Sequence, residues 1–232
     1  MRVLVTRPQC DGERLVDILS QRGIEAVMAP LLTIEYKSGP DLNLANVQAV
    51  LLTSANGVRA FAKRCDDRNV LALCVGDATA AEAKQAGFVA VKSAAGDVQT
   101  LMNLTAQELD TTKGALLHPA GTHVAGDLGE QLIKAGFTYQ REILYKAVQA
   151  DALAPDVCTM LKAGDIDGVV LYSPRTAKTF AHIVDQSGLA SALKNVTAYC
   201  LSAQVADCIL DLHWKNVKIA QQPEQNALLA LL

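Results

Sequence analysis

Two stretches of the chain carry nearly the same message, and no other feature limits the fold as much. Ala49-Val50-Leu51-Leu52-Thr53-Ser54-Ala55-Asn56-Gly57 and Val169-Val170-Leu171-Tyr172-Ser173-Pro174-Arg175-Thr176-Ala177 are each an apolar run of strand length that breaks on a serine and passes into helical spacing. In both, a phenylalanine, Phe61 or Phe180, follows the serine by seven residues, which is two helical turns and places it on the core face. A buried parallel strand that feeds a helix through a short polar turn leaves the first N–H groups of that helix unpaired. Such a turn attracts anions.

The duplication extends over nearly the whole chain. Residues 3–5 predict a first strand, 12–22 a helix stopped at Gly23, 26–28 a second strand and 31–37 an extended segment broken by Ser38-Gly39-Pro40. The block from the strand at 50–52 continues with a strand at 71–75, the turn Gly76-Asp77-Ala78-Thr79-Ala80, a helix stopped at Gly87, a short strand at 89–91 and a helix over 98–109. From Ala115 the pattern begins again: Leu116-Leu117-His118 answers Leu4-Val5, a helix over 128–135 ends at Gly136, and 142–148 repeats the extended 31–37. The strand at 197–201 answers 71–75, and 226–231 closes the chain as an apolar helix. The copies lie roughly 113 to 126 residues apart.

Strand and helix alternating in this way mean α/β architecture, with parallel sheets covered on both faces and right-handed crossovers. Ligands of such sheets sit at the carboxyl ends of the strands. The turns at 6–8, 53–57, 76–79, 118–121, 173–176 and 202–204 all fall at such ends. A cleft between two domains, lined by these turns, is therefore the expected site.

Composition narrows the class of function. Half of the 232 residues are hydrophobic and under a fifth are charged, which excludes a disordered tail of any size. A net charge of -3 and the lack of a basic run interleaved with aromatics give no reason to expect nucleic acid. Cys10, Cys65, Cys74, Cys158, Cys200 and Cys208 show no C-x-x-C spacing and read as thiols in a reducing cytosol. No charged leader opens the sequence, and no apolar run approaches the roughly 20 residues of a membrane helix, so a cytoplasmic protein is expected. The chain has no G-x-G-x-x-G, no G-x-x-x-x-G-K and no G-x-S-x-G. His118 and His123 are five apart, His182 and His213 stand alone, and no carboxylates take metal spacing.

Four segments then carry a family resemblance. Val3-Leu4-Val5-Thr6-Arg7-Pro8, Leu52-Thr53-Ser54-Ala55-Asn56-Gly57-Val58, Val75-Gly76-Asp77-Ala78-Thr79-Ala80 and Leu171-Tyr172-Ser173-Pro174-Arg175-Thr176-Ala177, in this order and over the full length, resemble the uroporphyrinogen-III synthases. The resemblance implies two flavodoxin-like α/β domains joined by a two-stranded connector. One domain would hold residues 1–33 with 149–232, the other 41–142, with 34–40 and 143–148 as connectors and a flexible hinge there. It implies a cofactor-free reaction in which linear hydroxymethylbilane closes to uroporphyrinogen III, with loss of water and inversion of ring D. The small-molecule substrate is the implied partner, together with a monomeric state, no membrane and room for transient contact with the bilane-producing enzyme.

The substrate's eight carboxylates suit many weak anion sites better than one basic patch. Candidates are Arg7, Thr53, Ser54, Asn56, Gly76, Thr79, Ser173, Arg175 and Ser202: helix amino termini, backbone N–H groups and the forks of the two arginines. Against three of them stands a plainer reading, in which Ser54 and Ser173 only cap their helices and Arg7 is a solvated turn residue. Tyr145, in Leu144-Tyr145-Lys146, matches the family tyrosine that assists hydroxyl loss, since phenols hold a proton at neutral pH; its plainer reading is a hinge residue packing its ring. The second copy departs from the family pattern, with Ser202 and Val205 where glycine and threonine are expected, and His118-Pro119-Ala120-Gly121 stands where relatives often have arginine and glycine. Two other readings stay open: a two-domain tetrapyrrole or polyanion sensor without turnover, and a nucleotide-sugar transferase.

Overall fold

The computed structural model describes residues 1–123 and 126–232. Contacts divide the chain into two units, Met1–Thr33 with Val148–Leu232, and Ile34–Ala147. In chain order, the first segment of the first unit contributes β1 (Arg2–Val5), α1 (Gln9–Gln21) and β2 (Glu25–Met28), followed by β3 (Leu32–Tyr36). The second unit continues with β4 (Val47–Leu52), α2 (Ala55–Ala62), β5 (Leu71–Cys74), α3 (Asp77–Gln85), β6 (Val91–Ser93), α4 (Val98–Glu108), β7 (Ala115–Gly121), α5 (Leu128–Lys134) and β8 (Thr138–Gln149). The chain then returns to the first unit with α6 (Pro155–Ala163), β9 (Gly168–Leu171), α7 (Pro174–Gln186), β10 (Thr197–Cys200), α8 (Ala203–Ala206), β11 (Asn216–Ile219) and α9 (Gln225–Leu229).

The sheet of the first unit runs β2-β1-β9-β10-β11, with every pairing parallel. That is the doubly wound order, in which the chain leaves the middle of the sheet in both directions. The other sheet runs β8-β7-β4-β5-β6, again parallel throughout these five strands. Put β7 and β8 in the places of β1 and β2, and the two orders are the same. The internal duplication is thus visible as one sheet built twice, with the second copy entered in its middle. β3 adds to the β8 edge. Lys37 N–H donates to Leu144 O and Ala150 N–H to Leu31 O, so numbers rise on one strand as they fall on the other, and this pair is antiparallel.

Alternation along each strand splits the core into two layers per sheet. Val50 and Leu52 pack with Phe61 on one face, Ala49 and Leu51 with Leu101 and Leu132 on the other. Likewise Val169 and Leu171 face Phe180, and Val170 faces Leu15 and Leu19. Both phenylalanines are fully buried, as the shared seven-residue spacing predicts. Each such side chain contributes about 1.5–3 kcal/mol of burial. Cys74 and Cys200 end β5 and β10, and burial pushes both thiols up to about 12, so they are inert core residues. Helix α2 lies so close to β7 that a Cβ on Gly57 would stand 2.7 Å from Pro119 O. Among the described residues no helix is long and apolar enough to cross a membrane.

The structure moves several expected boundaries: the extended segment expected at 142–148 is Thr138–Gln149, the helix expected at 12–22 is Gln9–Gln21, and two further shifts have a plain cause. The strand expected at 89–91 is Val91–Ser93, because Val89 is 77% exposed and has no layer to join. Residues 118–121, expected as a turn, are the buried end of β7, and the bend begins at Thr122. The recorded pairing of β7 to β4 reaches Leu117 while that to β8 reaches Gly121. Pro119 therefore sits where β7 keeps one ladder, a place that tolerates a residue without an N–H.

Candidate functional site

In the second unit a cavity of about 510 Å³ opens at the carboxyl ends of β4 and β7, beside the start of α5. Thr53, Ser54, His118, Tyr139, Arg141 and Tyr145 stand on its wall. Ser54 takes extended backbone after β4, and its Oγ accepts from Gly57 N–H at 3.0 Å, capping α2. The same Oγ lies 2.9 Å from the Tyr145 hydroxyl. One atom thus caps the helix and meets the phenol; Ser54 Oγ accepts from Gly57 N–H, and between Ser54 and Tyr145 either hydroxyl can donate.

Tyr145 reaches this position through a β-bulge. Ala120 pairs with Ile143 and Gly121 with Tyr145, which leaves Leu144 as an extra residue on β8. Strict alternation would send Leu144 and Tyr145 to opposite faces, yet both pack against the layer of Val50, Leu52 and Phe61. Tyr139, on the regular part of β8, packs on the opposite layer with Leu116 and Leu128. The two phenols approach the cavity from the two sides of one sheet. Gly121 makes room for the ring: a Cβ there would stand 2.9 Å from Tyr145 Cε2 and 3.0 Å from Cζ. Gly121→Ala is accordingly expected to keep the fold but displace the ring. On the proposed reaction below, the expected loss is on the order of 10²-fold in turnover, the scale of a 1 Å misplacement, read by steady-state kinetics beside a circular dichroism spectrum.

His118, 2% exposed, joins the second pair of polar groups. Its Nε2 lies 2.9 Å from Thr53 Oγ1 and its Nδ1 2.6 Å from the Tyr139 hydroxyl. Burial first, and the Arg141 charge second, push its pKa down to about 4. Burial raises the Tyr139 phenol against the opposing pull of Arg141. Arg141 Nη2 donates to Gly121 O at 2.7 Å and Thr122 O at 3.1 Å. Between pH 6.5 and 4 the unfolded chain takes up a proton at this histidine that the folded chain refuses. Stability must therefore fall as pH falls through that window, by about 3 kcal/mol for a shift of this size. Denaturant titrations at pH 7 and pH 4 check it, and His118→Gln should remove that part of the slope.

The remaining candidates fall at strand ends without lining this cavity. Asn56 begins α2 after Ala55, and its Oδ1 accepts from Arg59 Nη1 at 3.1 Å. Gly76 is the extended residue before α3, where a Cβ would meet only Gly96 O at 3.8 Å, so packing does not demand glycine there. Thr79 is buried in the first turn of α3. In the first unit, Ser173 caps α7 by accepting from Thr176 N–H at 3.1 Å, and Arg175 follows on the same turn, half-buried. Ser202 precedes α8 with extended backbone and no side-chain cap bond. Arg7 is no solvated turn residue: it donates to Gln225 Oε1 at 3.0 Å, approaches Asp11 Oδ2 at 3.4 Å and lies 4.4 Å over the Tyr172 ring. Among the described residues no group of three or more His, Cys, Asp or Glu could hold a metal ion.

Three of the sequence candidates, Thr53, Ser54 and Tyr145, thus share one wall. His118, Tyr139 and Arg141 were not among them. The signal for His118 was present as a polar residue closing the apolar run Leu116-Leu117; Tyr139 and Arg141 lie ahead of the extended segment expected at 142–148 and gave none.

Comparison with known proteins follows the same line. The family model described as "Uroporphyrinogen-III synthase HemD" matches residues 13–230. No curated relative matches at a significant level. A solved uroporphyrinogen-III synthetase from Helicobacter pylori is similar over 99% of this chain and 96% of its own, at 17% identity and a TM-score of 0.66. A mutant uroporphyrinogen III synthase from Thermus thermophilus is similar over 100% of this chain and 97% of its own, also at 17% identity, with a TM-score of 0.53. At that identity the two structures speak for the fold.

Proposed function

The chain belongs to the uroporphyrinogen-III synthase family, and on that premise we propose that it closes linear hydroxymethylbilane to uroporphyrinogen III with loss of water and inversion of ring D. The family places the enzyme among the lyases of tetrapyrrole biosynthesis. The observation that carries the finer reading is the Tyr145–Ser54 hydroxyl pair on the cavity wall.

Tyr145 donates to the terminal hydroxyl of the bilane as it leaves as water, and the cation left behind is an azafulvene stabilised by the pyrrole nitrogen. The substituted carbon of ring D attacks this cation, and the spiro intermediate fragments and recloses with ring D inverted. Loss of a proton restores neutrality. The free bilane closes unaided to isomer I, so the protein's larger task is to fold the chain with the substituted carbon in reach. Ser54, fixed by its cap bond, holds the phenol where the leaving hydroxyl must come.

Carboxylates of the substrate are taken by Thr53, Ser54, Asn56, Gly76 and Thr79 in one unit, and by Ser173, Arg175, Ser202 and Arg7 in the other. Arg7 serves only if Gln225 or Asp11 yields its place. The test is the isomer ratio of uroporphyrinogen formed from hydroxymethylbilane with and without protein, read by chromatography after oxidation. Predominant isomer III supports the reading. Isomer I alone, at the spontaneous rate with folded protein, overturns it and leaves a binding module.

A further inference from the structure

We infer that His118 is a positioning residue, which through Nε2–H fixes the Thr53 hydroxyl as a hydrogen-bond donor into the cavity, toward a carboxylate of the ligand. The naming of a carboxylate rests on the bilane reading above; the orientation of the hydroxyl does not.

A neutral imidazole has one donor and one acceptor nitrogen, and both neighbours of His118 are hydroxyls that can play either part. The distances fit one of the two arrangements better. The Nδ1 contact with Tyr139 is 2.6 Å, in the short range of O–H donors, while the Nε2 contact with Thr53 is 2.9 Å, the usual length of an N–H···O bond. Acidity agrees, because a phenol is a better donor than an aliphatic alcohol. The Arg141 charge, felt by both Tyr139 and His118, turns lone pairs toward itself and protons away. Tyr139 therefore donates to Nδ1, and Nε2–H donates to Thr53. The Thr53 oxygen is then occupied as an acceptor from His118, and its own proton has no acceptor among the described residues. Thr53 lines the cavity, so that proton is offered to whatever fills it.

The cation for a carboxylate is Arg141. It lines the same cavity, donates to two carbonyls, and has no carboxylate within ion-pair distance among the described residues. Asp127 and Glu130 line the cavity too and keep their charges, Asp127 accepting from Gln131 and Glu130 lying 3.9 Å from Lys134, so the anion's place is the Thr53 and Arg141 side of the cavity. The reversed tautomer would make Thr53 an acceptor and favour an N–H ligand instead.

The orientation is tested first without any ligand. In the 15N-labelled full-length protein at pH 7, two-bond proton–nitrogen correlations report which ring nitrogen carries the proton, and the signal absent from His118→Gln identifies the residue among the four histidines. An Nε2–H tautomer for His118, disturbed in Tyr139→Phe, is expected; an Nδ1–H tautomer or an imidazolium overturns the inference. With hydroxymethylbilane, Thr53→Val and His118→Leu are each expected to raise KM by about tenfold to hundredfold, the scale of one hydrogen bond to a charged group, with kcat changed little. The double variant should be no worse than either single one, and His118→Gln, which keeps an N–H near the Nε2 position, should restore most of the affinity. Additive effects, or an unchanged KM in a folded His118→Leu, overturn it. Should the wild type itself fail to turn the bilane over, the proposed reaction falls while the nitrogen spectrum still decides the orientation.

Discussion

Tyr145→Phe is expected to slow the protein-dependent formation of uroporphyrinogen III by about 10²- to 10⁴-fold, the range of one general acid. The change removes one oxygen and nothing else. The ring keeps its packing against the layer of Val50 and Leu52 and its place opposite Gly121. Ser54 keeps its cap bond to Gly57 N–H, so the start of α2 is undisturbed. Stability should drop by only about 1 kcal/mol, for one partly buried hydrogen bond.

The loss belongs in kcat, because the phenol meets charge that develops only as the hydroxyl departs. Isomer III should still dominate what the variant makes, since folding of the bilane depends on the carboxylate contacts. Single-turnover assays with hydroxymethylbilane, read by isomer, separate these terms. A folded Tyr145→Phe protein within about threefold of wild-type kcat would sink the assignment of Tyr145 as proton donor.

Much of the fold could be read from local pattern, because its elements announce themselves within a few residues. A serine closing an apolar run marks both caps, and the phenylalanine two turns on marks both core faces; Ser54, Ser173, Phe61 and Phe180 follow from this directly. Other elements leave a fainter mark in the sequence, for different reasons. β11 alternates polar and apolar residues, Asn216-Val217-Lys218-Ile219, but over only four positions, all of them exposed, so the pattern is too short to stand out. α6 had its signals, Pro155 in the first turn and Gly164 with φ of 78° just past the end, but no matching element in the other copy drew attention to them. Pro119 and Gly121 read as turn residues because those types usually are; their place in β7 depends on where the neighbouring strand stops pairing.

The site was less legible, because its bonds join distant parts of the sequence. Ser54 and Tyr145 are 91 residues apart, Thr53 and His118 are 65, and no local pattern encodes such a meeting. The bulge at Leu144 is a relation between two strands, invisible in either alone. The copies also diverge at the carboxyl ends of their strands, where the candidate site lies. Thr6, the counterpart of His118, spends its hydroxyl on Val170 O, and Tyr172, the counterpart of Thr53, lies under Arg7. One sheet was built twice, and its carboxyl edge carries different side-chain contacts in each copy.

The largest stability effect is expected at a pair that the sequence did not mark at all. Arg59 on α2 donates from Nε to Glu82 Oε1 at 2.9 Å and from Nη2 to Oε2 at 3.0 Å, a two-pronged match to a carboxylate on α3. The two side chains are 12% and 8% exposed. Arg59→Ala removes the fork from a carboxylate that is 8% exposed, and breaking a buried pair on one side costs about 3–5 kcal/mol. Replacing both residues by leucine should recover most of it, because the two charges are then removed together. Denaturant midpoints of the single and double variants decide between this and a surface-like pair worth less than about 1 kcal/mol. The pair reaches the ligand edge as well, since Arg59 also donates to Asn56 Oδ1. If Asn56 takes a substrate carboxylate, the double leucine variant should regain its stability and yet keep a raised KM, because nothing then holds the Asn56 amide; a KM that returns with stability would remove Asn56 from the site.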